Sequence, residues 1–377
     1  SPPSPGTILA LGGEIKPSLC LLSRSKAWLL HPDYRLSDPD DFRAFLREAE
    51  DLKKKAGQEP EWVACDMHPE YTTTRYARSL GTSFIEVQHH HAHIAACMAE
   101  NSLDKPVVGI CCDGTGYGMD GAIWGCEILL CDRAGFTRMG HLDYFPLPGG
   151  DAGARDPWRP AAGLLYQALG SDGLRSAKAV LDRIDRAGLD LLAQRLAGGA
   201  PLPQTSSLGR LFDAAAFLLG LCDKNRFDAE APIALENAAR ESKGSVKPYP
   251  FLIAGNPQPD SDGNVEPLRF DPRPMMESMI RDLQSNRSIP DMAMSFHLTV
   301  AEALAAMALA VSEKTGIADL VLSGGCFANR ILTIQLLHRL QSRKERIWQH
   351  RITSPGDQSL ALGQVAVASM QIVKERV

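Results

Sequence analysis

The chain opens twice in the same way. Ile8-Leu-Ala-Leu-Gly-Gly13 followed by Leu19-Cys-Leu-Leu22 is a pair of short apolar runs around a Gly-Gly turn, the pattern of a β-hairpin. From Lys105 the pattern restarts: Pro106–Cys112 reads as a strand, Asp113-Gly-Thr-Gly-Tyr-Gly118 as a glycine-rich turn, and Ala122–Leu130 as a second strand. No residue-level repeat accompanies the two openings, yet their shared form implies a duplicated architecture. At 377 residues the chain exceeds what a single hydrophobic core sustains, so two lobes sharing a cleft are expected.

Between the openings strands and helices alternate, the sequence form of an α/β lobe. Asp38–Lys55 has helical character, Trp62–Cys65 is a short buried strand, Tyr71–Leu80 a helix and Phe84–Val87 a strand. The division expected is a first lobe over residues 1–104 and a second over 105–377. A mostly helical insert, about 151–290, includes helices at Ala177–Ala197 and Leu208–Leu221 and a loop at Asn256–Gly263. A helix Leu298–Lys314 then feeds a strand at Asp319–Leu322, a glycine turn, the helix Ala328–Ser342, a strand near Arg346–Ile352 and a final helix from Asp357.

Composition excludes several classes. Hydrophobic residues at 44% and charged residues at 23% describe an ordinary globular chain. A formal net charge of −5 gives no overall field for nucleic acid or anionic lipid. The longest apolar stretches, such as Ala303–Val311, fall short of a membrane span, and no basic and apolar leader precedes the first strand, so a cytosolic protein is expected. Nine cysteines without any C-x-x-C suggest neither a zinc ribbon nor a disulfide framework. Ser1-Pro-Pro-Ser-Pro-Gly6 reads as the tail of a linker, as in a domain cut from a longer polypeptide.

The chemistry concentrates in Val87-Gln-His-His-His-Ala-His-Ile-Ala-Ala96. His89 and His93, at i and i+4 on a helix, share a face and could reach one metal ion. The same histidines would also suit a polar, anion-capping turn, so carboxylates must be sought. Asp113 ends an apolar strand, where a buried carboxylate is costly without a partner, though it would also begin a β-turn. Asp357 precedes the last helix and would serve equally as its N-cap. A His, His, Asp, Asp set with open positions suits a divalent cation that also touches phosphate oxygens. The turns at Ser323-Gly-Gly-Cys326 and Gly114 to Gly118 bare backbone N–H groups where an anion could approach, yet neither matches a P-loop or dinucleotide fingerprint. Cys111, Cys112 and Cys326 lie near these motifs and are read as buried apolar residues.

These motifs recur in order in a known family. Leu9-Ala-Leu-Gly-Gly-Glu-Ile-Lys16, Asp66-Met-His-Pro-Glu-Tyr-Thr-Thr-Thr-Arg-Tyr-Ala77, the His89 segment, Asp113–Gly118 with Ile123-Trp-Gly-Cys-Glu127, and Phe145-Pro-Leu-Pro-Gly-Gly-Asp151 come first. Asp156-Pro-Trp-Arg159, Thr205-Ser-Ser-Leu-Gly-Arg-Leu-Phe-Asp213, Ser323-Gly-Gly-Cys-Phe-Ala-Asn-Arg330 and Leu360-Ala-Leu-Gly-Gln364 follow. On these, the chain from Leu9 to the last helix resembles the transferase domain of the hydrogenase-maturation carbamoyltransferases, the HypF family. The resemblance implies an α/β, two-lobed actin-like or sugar-kinase-like fold, with ribonuclease-H-like duplicated lobes, a helical insert and a C-terminal helix closing the metal site.

It also implies a metal site of His89, His93, Asp113 and Asp357 for a divalent ion, whether iron, zinc or magnesium. The nucleotide candidates are Gly12, Gly13, Gly114, Thr115, Gly116, Gly324, Gly325 and Asn329, around the ATP or AMP moiety of a carbamoyl-adenylate. Lys16, His68, Arg75 and Arg159 are the catalytic candidates for contact with phosphate or acceptor, and each also suits a surface or capping role. The implied partners are a nucleotide-activated carbamoyl donor and a HypE-like protein whose C-terminal cysteine thiol accepts the group, with no nucleic acid or membrane. Rival readings are an O-carbamoyltransferase acting on a small-molecule hydroxyl and a non-catalytic nucleotide-binding maturation partner. The pattern departs from the family at Gly356-Asp-Gln-Ser359, Cys126, Pro17-Ser18 and Phe227-Asp-Ala-Glu-Ala-Pro232, where nucleotide or acceptor fit would change. The family's acylphosphatase-like, zinc-finger and adenylate-forming portions find no match here, so this chain alone is not expected to make the adenylate from carbamoyl phosphate.

Overall fold

Successive side chains of a strand face opposite ways, so a run that is apolar throughout must be covered on both faces. Ile8-Leu-Ala-Leu11 is such a run. In the computed structural model, which describes residues 5–150, 152–176, 194, 202–259, 265–341 and 345–376, it forms β1 (Ile8–Ala10) at the centre of a sheet. Leu9 and Leu11 pack with Phe45, Ala49 and Leu52 of the helix Pro39–Ala56, while Ile8 and Ala10 pack with Ala361, Val365, Ala368 and Ile372 of the last helix, Leu360–Glu375. The first of these helices has its ends marked in sequence: Asp38 caps it by accepting from Asp40 and Asp41 N–H, and Gly57 stops it in the left-handed region.

β2 (Leu19–Ser23) and β3 (Lys26–Leu30) continue the sheet antiparallel on one side of β1. β4 (Trp62–Asp66) and β5 (Ser83–Val87) continue it in parallel on the other, giving the order β3-β2-β1-β4-β5.

The second sheet begins with the antiparallel meander β6 (Val107–Tyr117), β7 (Ile123–Cys131) and β8 (Phe136–Leu142). The short β9 (Phe145–Pro146) and β10 (Gln204–Thr205) attach beside β7, and the hairpin of β11 (Leu252–Pro259) and β12 (Val265–Asp271) extends the edge beyond β8. β13 (Asp319–Ser323) and β14 (Arg346–Trp348) lie parallel to β6 on its other side. The run β8-β7-β6-β13-β14 therefore repeats β3-β2-β1-β4-β5 in order and sense, which bears out the duplication expected from the two openings. After the fifth strand of each half the chain enters a helix that packs on the sheet of the other half. Ile94, Cys97 and Met98 of the helix His89–Glu100 lie against Val107, Cys111, Leu129 and Val321, and the last helix lies on β1, β2 and β4. The last helix, counted with the second lobe in sequence, thus belongs by packing to the first sheet, because its small apolar face fits Ile8, Ala10, Cys20 and Ala64.

Other expectations change. Asp113–Gly118 is not a turn: β6 runs through it, with three residues, 113–115, set against one, Gly125, between the pairs Cys112–Cys126 and Gly116–Trp124. A bulge and a turn ask for the same glycines, which is why sequence alone confuses them; the turn itself is Gly118–Gly121. The stretch 151–290 is less helical than expected, since Asn256–Pro259, assigned to a loop, lie in β11; the remainder of that loop and, save for residue 194, the helix Ala177–Ala197 lie outside the described residues. The helix expected at Leu298 starts earlier, running Ile289–Thr315 with a proline in its first turn. It is long and apolar enough to cross a bilayer, contrary to the apolar-run reading, but 67% of its most apolar window is buried, with Phe296, Val300, Leu304 and Met307 in the second lobe's core.

Candidate metal centre and adjoining cavities

Gln88 stands between β5 and the helix His89–Glu100. Its Oε1 accepts the His91 N–H as an N-cap, and its Nε2 donates to the Tyr117 carbonyl of β6, which ties the helix start to the second sheet. Every residue from His89 to Met98 is buried. The i, i+4 pair His89 and His93 turns one face toward two aspartates from distant parts of the chain. Asp113 is delivered by the β6 bulge, and Asp357 by a short 3-10 turn, Asp357–Ser359, that leads into the last helix. His93 Nε2 lies 3.0 Å from Asp113 Oδ2 and 3.3 Å from Asp357 Oδ1, and His89 Nε2 lies 3.2 and 3.6 Å from the same two atoms. One ligand atom from each of the four residues falls within 4.8 Å of all the others.

A fifth residue governs the electrostatics. Asp66, fully buried at the end of β4, meets His89 Nδ1 at 2.7 Å. That contact assigns the Nδ1 proton and turns the Nε2 lone pair toward two carboxylates. Lone pairs facing carboxylate oxygens at such distances repel unless a cation stands between them, either a proton or a metal ion. The titration directions agree. Burial alone would lower the His89 imidazole, but the Asp66 carboxylate and the contacts to Asp113 and Asp357 hold it well above its ordinary value; His93 is raised against burial by the same two aspartates. Burial would raise the Asp113 and Asp357 carboxyls, and the two imidazoles hold both below the ordinary range. The cluster is a preformed seat for positive charge, and two imidazoles with two carboxylates suit a divalent cation.

Asp113 is fixed from behind by N–H groups of two segments: its Oδ1 accepts from Gly114 at 2.8 Å and from Gly325 at 3.3 Å. The second contact requires glycine at 324, where φ is +104° and any Cβ would stand 2.2 Å from the Cys112 carbonyl oxygen.

Two cavities flank this point. One, of about 320 Å³, is lined by Lys16, Asp113, Gly114, Arg210, Asp228, Glu236, Gly325, Cys326 and Asn329, among others. The second, of about 370 Å³, is lined by Glu14, His68, Glu70, Tyr71, Gly114, Thr115 and Arg210. Gly114 and Arg210 belong to both.

Of the nucleotide candidates, Gly114, Thr115, Gly325 and Asn329 line these cavities. Asn329 also caps the following helix through Leu332 N–H. Gly13 lies over the cluster, a Cβ there standing 3.7 Å from Asp357 Oδ2. Gly12 is engaged elsewhere, its N–H and C=O both bound by the Gln364 amide. Gly116 is needed for packing, since a Cβ there would stand 2.4 Å from His90 Cε1, and Gly324 supports the Asp113 contact. Lys16 and His68 line the two cavities, Lys16 paired with Asp228 at 2.5 Å and His68 stacked on Tyr71 with ring centres 4.2 Å apart. Arg75 and Arg159 are not brought to either cavity. Arg75 is exposed on the helix Thr72–Ser79, and Arg159 pairs with Asp156 at 3.0 Å and stacks on Trp158. Cys111 and Cys112 are buried and Cys326 half-buried; burial first, then Asp113 for Cys111 and Cys326, pushes their thiols well up, so they are neutral side chains rather than nucleophiles.

Asp66 and Arg210 escaped the sequence reading. Asp66 carried the signal used for Asp113, an acid closing an apolar strand. Arg210 lay in the Thr205–Asp213 motif, but its place at the cavities shows only once the fold brings the helix Leu208–Leu218 against the bulge.

Two matched α/β sheets with exchanged helices define a two-lobed, actin-like protein, with a His/Asp cluster that could hold a cation beside paired cavities. Residues 3–100 match the family model for the HypF Kae1-like domain, and residues 109–364 match that for the second subdomain of the carbamoyltransferase Kae1-like domain. The chain belongs to the HypF carbamoyltransferase family. It is 36% identical to carbamoyltransferase HypF2 of Cupriavidus necator, covering 96% of this chain and 46% of the relative, and 36% identical to a HypF homolog from the same organism, covering 97% and 92%. The chain thus spans about half the length of most of these curated relatives and nearly all of one. A crystal structure of full-length HypF in a phosphate- and nucleotide-bound form superposes with a TM-score of 0.89 at 34% identity, over 98% of this chain and 47% of that one. The T. kodakarensis HypF structure gives 0.85 at 27% identity, over 100% and 48%.

Proposed function

We propose that this chain moves the carbamoyl group of carbamoyl-adenylate to the C-terminal cysteine thiol of a HypE-like partner in the cytosol. The site is the cleft between a first lobe, 1–104, and a second, 105–377, closed by the last helix. The observation that carries the reading is the cluster of His89, His93, Asp113 and Asp357, whose Asp113 lines a cavity bounded by Gly114, Gly325 and Asn329. Family membership supports the choice of transferred group.

Those four side chains would hold a divalent cation, iron, zinc or magnesium, which would supply positive charge to the phosphate of the leaving nucleotide. Asp66 sets the His89 tautomer, and the Gly114 and Gly325 N–H groups keep Asp113 in place. The chain contributes position and electrostatics more than bond chemistry, because a mixed anhydride carbonyl is already electrophilic. The acceptor sulfur bonds to the carbonyl carbon, the bond from that carbon to the phosphate oxygen breaks, its electron pair leaves with AMP, and the thiol proton passes to solvent. No internal nucleophile is required.

A single-turnover incubation with synthetic carbamoyl-adenylate and the partner protein tests this. Thiocarbamate on the partner with equal release of AMP is the expected result. Carbamate on a small-molecule hydroxyl instead, or nucleotide binding without transfer, would overturn it.

A further inference from the structure

Two arginines that serve the scaffold of this protein show the two-pronged grip that a guanidinium offers a carboxylate. Arg273 grips Asp271 through Nε and Nη2, and Arg346 grips Asp319 through Nε at 2.7 Å and Nη2 at 2.5 Å, each guanidinium laid flat on its carboxylate. Arg210 differs. Only its Nε approaches Asp213, at 2.8 Å, and the alignment makes no hydrogen bond, leaving Nε and Asp213 Oδ2 both buried without one among the described residues. The Nη nitrogens have no protein acceptor among the described residues and face the junction where both cavities meet. Nη2 lies 4.0 Å from where a Cβ of Gly114 would stand. The side chain is only 12% exposed, so this is not a solvated surface cation.

Its placement is built. Ser207 caps the helix Leu208–Leu218, and its hydroxyl also donates to the Gly114 carbonyl at 2.7 Å. Gly209 lets the first turn touch the bulge, a Cβ there standing 2.8 Å from Gly114 Cα. Asp213 is held in turn by Asn225 Nδ2 at 3.1 Å. A buried guanidinium that meets its carboxylate through Nε alone keeps two fork nitrogens to offer a second anion beside the His/Asp cluster.

We propose that Arg210, braced by Asp213 and Asn225, is a further catalytic residue that holds a phosphate oxygen of the nucleotide donor at the cavity junction. This rests on the donor reading above. Arg210 would grip the phosphate beside the His/Asp cluster, so that charge developing on the leaving group is met by a second positive group.

The test compares AMP with adenosine by calorimetric titration of the full chain and of Arg210→Gln. Loss of one charge-assisted contact lowers AMP affinity about ten- to hundredfold, and adenosine affinity stays unchanged. Should Arg210→Gln leave an uncompensated Asp213 and fold poorly, the double variant Arg210→Gln with Asp213→Asn removes both charges and carries the same expectation. Equal losses for AMP and adenosine, or an unchanged AMP affinity in a folded variant, would overturn the assignment while leaving the donor reading standing. A parent protein that binds neither compound would remove both.

Discussion

Replacing Glu100 with glutamine isolates one charge that ties the histidine helix to the segment carrying Asp357. Glu100 ends that helix with its carboxylate 6% exposed, accepting from the N–H groups of Arg351, Ile352 and Thr353 at 2.5, 2.8 and 3.2 Å and from the Thr353 hydroxyl. Burial would raise its carboxyl, and these donors hold it instead at about 2, against an ordinary 4.5. At 1.36 kcal/mol per unit the shift corresponds to about 3 kcal/mol. Arg351 and Ile352 lie in solvent on the outer side of the loop, so screening reduces the expected contribution to about 2 kcal/mol. A depressed carboxyl stabilises the fold above its unfolded value and loses that effect as pH falls from about 4.5 through about 2. Glu100→Gln should therefore unfold in urea about 2 kcal/mol more easily at pH 7, with the gap below half that size by pH 3. An unaltered midpoint at neutral pH, or a gap independent of pH, would refute the reasoning.

Four further outcomes follow from the structure. Asp66→Asn keeps a polar partner for His89 but releases its tautomer, so divalent-metal affinity measured by competition with a chelator should fall about ten- to hundredfold; His93→Ala or Asp113→Ala should abolish stoichiometric metal, and unchanged content would remove the cation seat. Gly363→Ala places a Cβ 1.8 Å from the Ala92 carbonyl where the last helix crosses the histidine helix, and should cost about 2 to 3 kcal/mol in denaturant unfolding. Asp38→Ala removes the cap of the helix Pro39–Ala56 and should cost about 1 kcal/mol by the same measurement, with transfer unaffected because that helix lies on the face of the first sheet remote from the cluster.

The sequence made the strands and the convergence of His89, His93, Asp113 and Asp357 legible for a physical reason. Apolar runs such as Ile8–Leu11 and Val107–Cys112 have few solutions other than a strand covered on both faces, and four histidines at a helix start have few uses. What stayed hidden was tertiary. A glycine run at 113–118 satisfies a turn or a bulge equally, and only pairing with β7 decides between them. Arg75 and Arg159 carry the right charge on motif segments, but their directions depend on helix orientation that no local pattern encodes. Arg210 and the crossing of the last helix onto the first sheet both depend on contacts between residues far apart in the chain.

The exchange of helices between the halves has a mechanical consequence. The chain crosses from one sheet to the other along the histidine helix and crosses back just before the last helix, so the halves are joined by two straps rather than one. Such a joint bends about the line through both straps and resists twisting. His89 and His93 ride on the first strap and Asp357 on the second, which keeps the ligands near the axis, where a given rotation displaces atoms least.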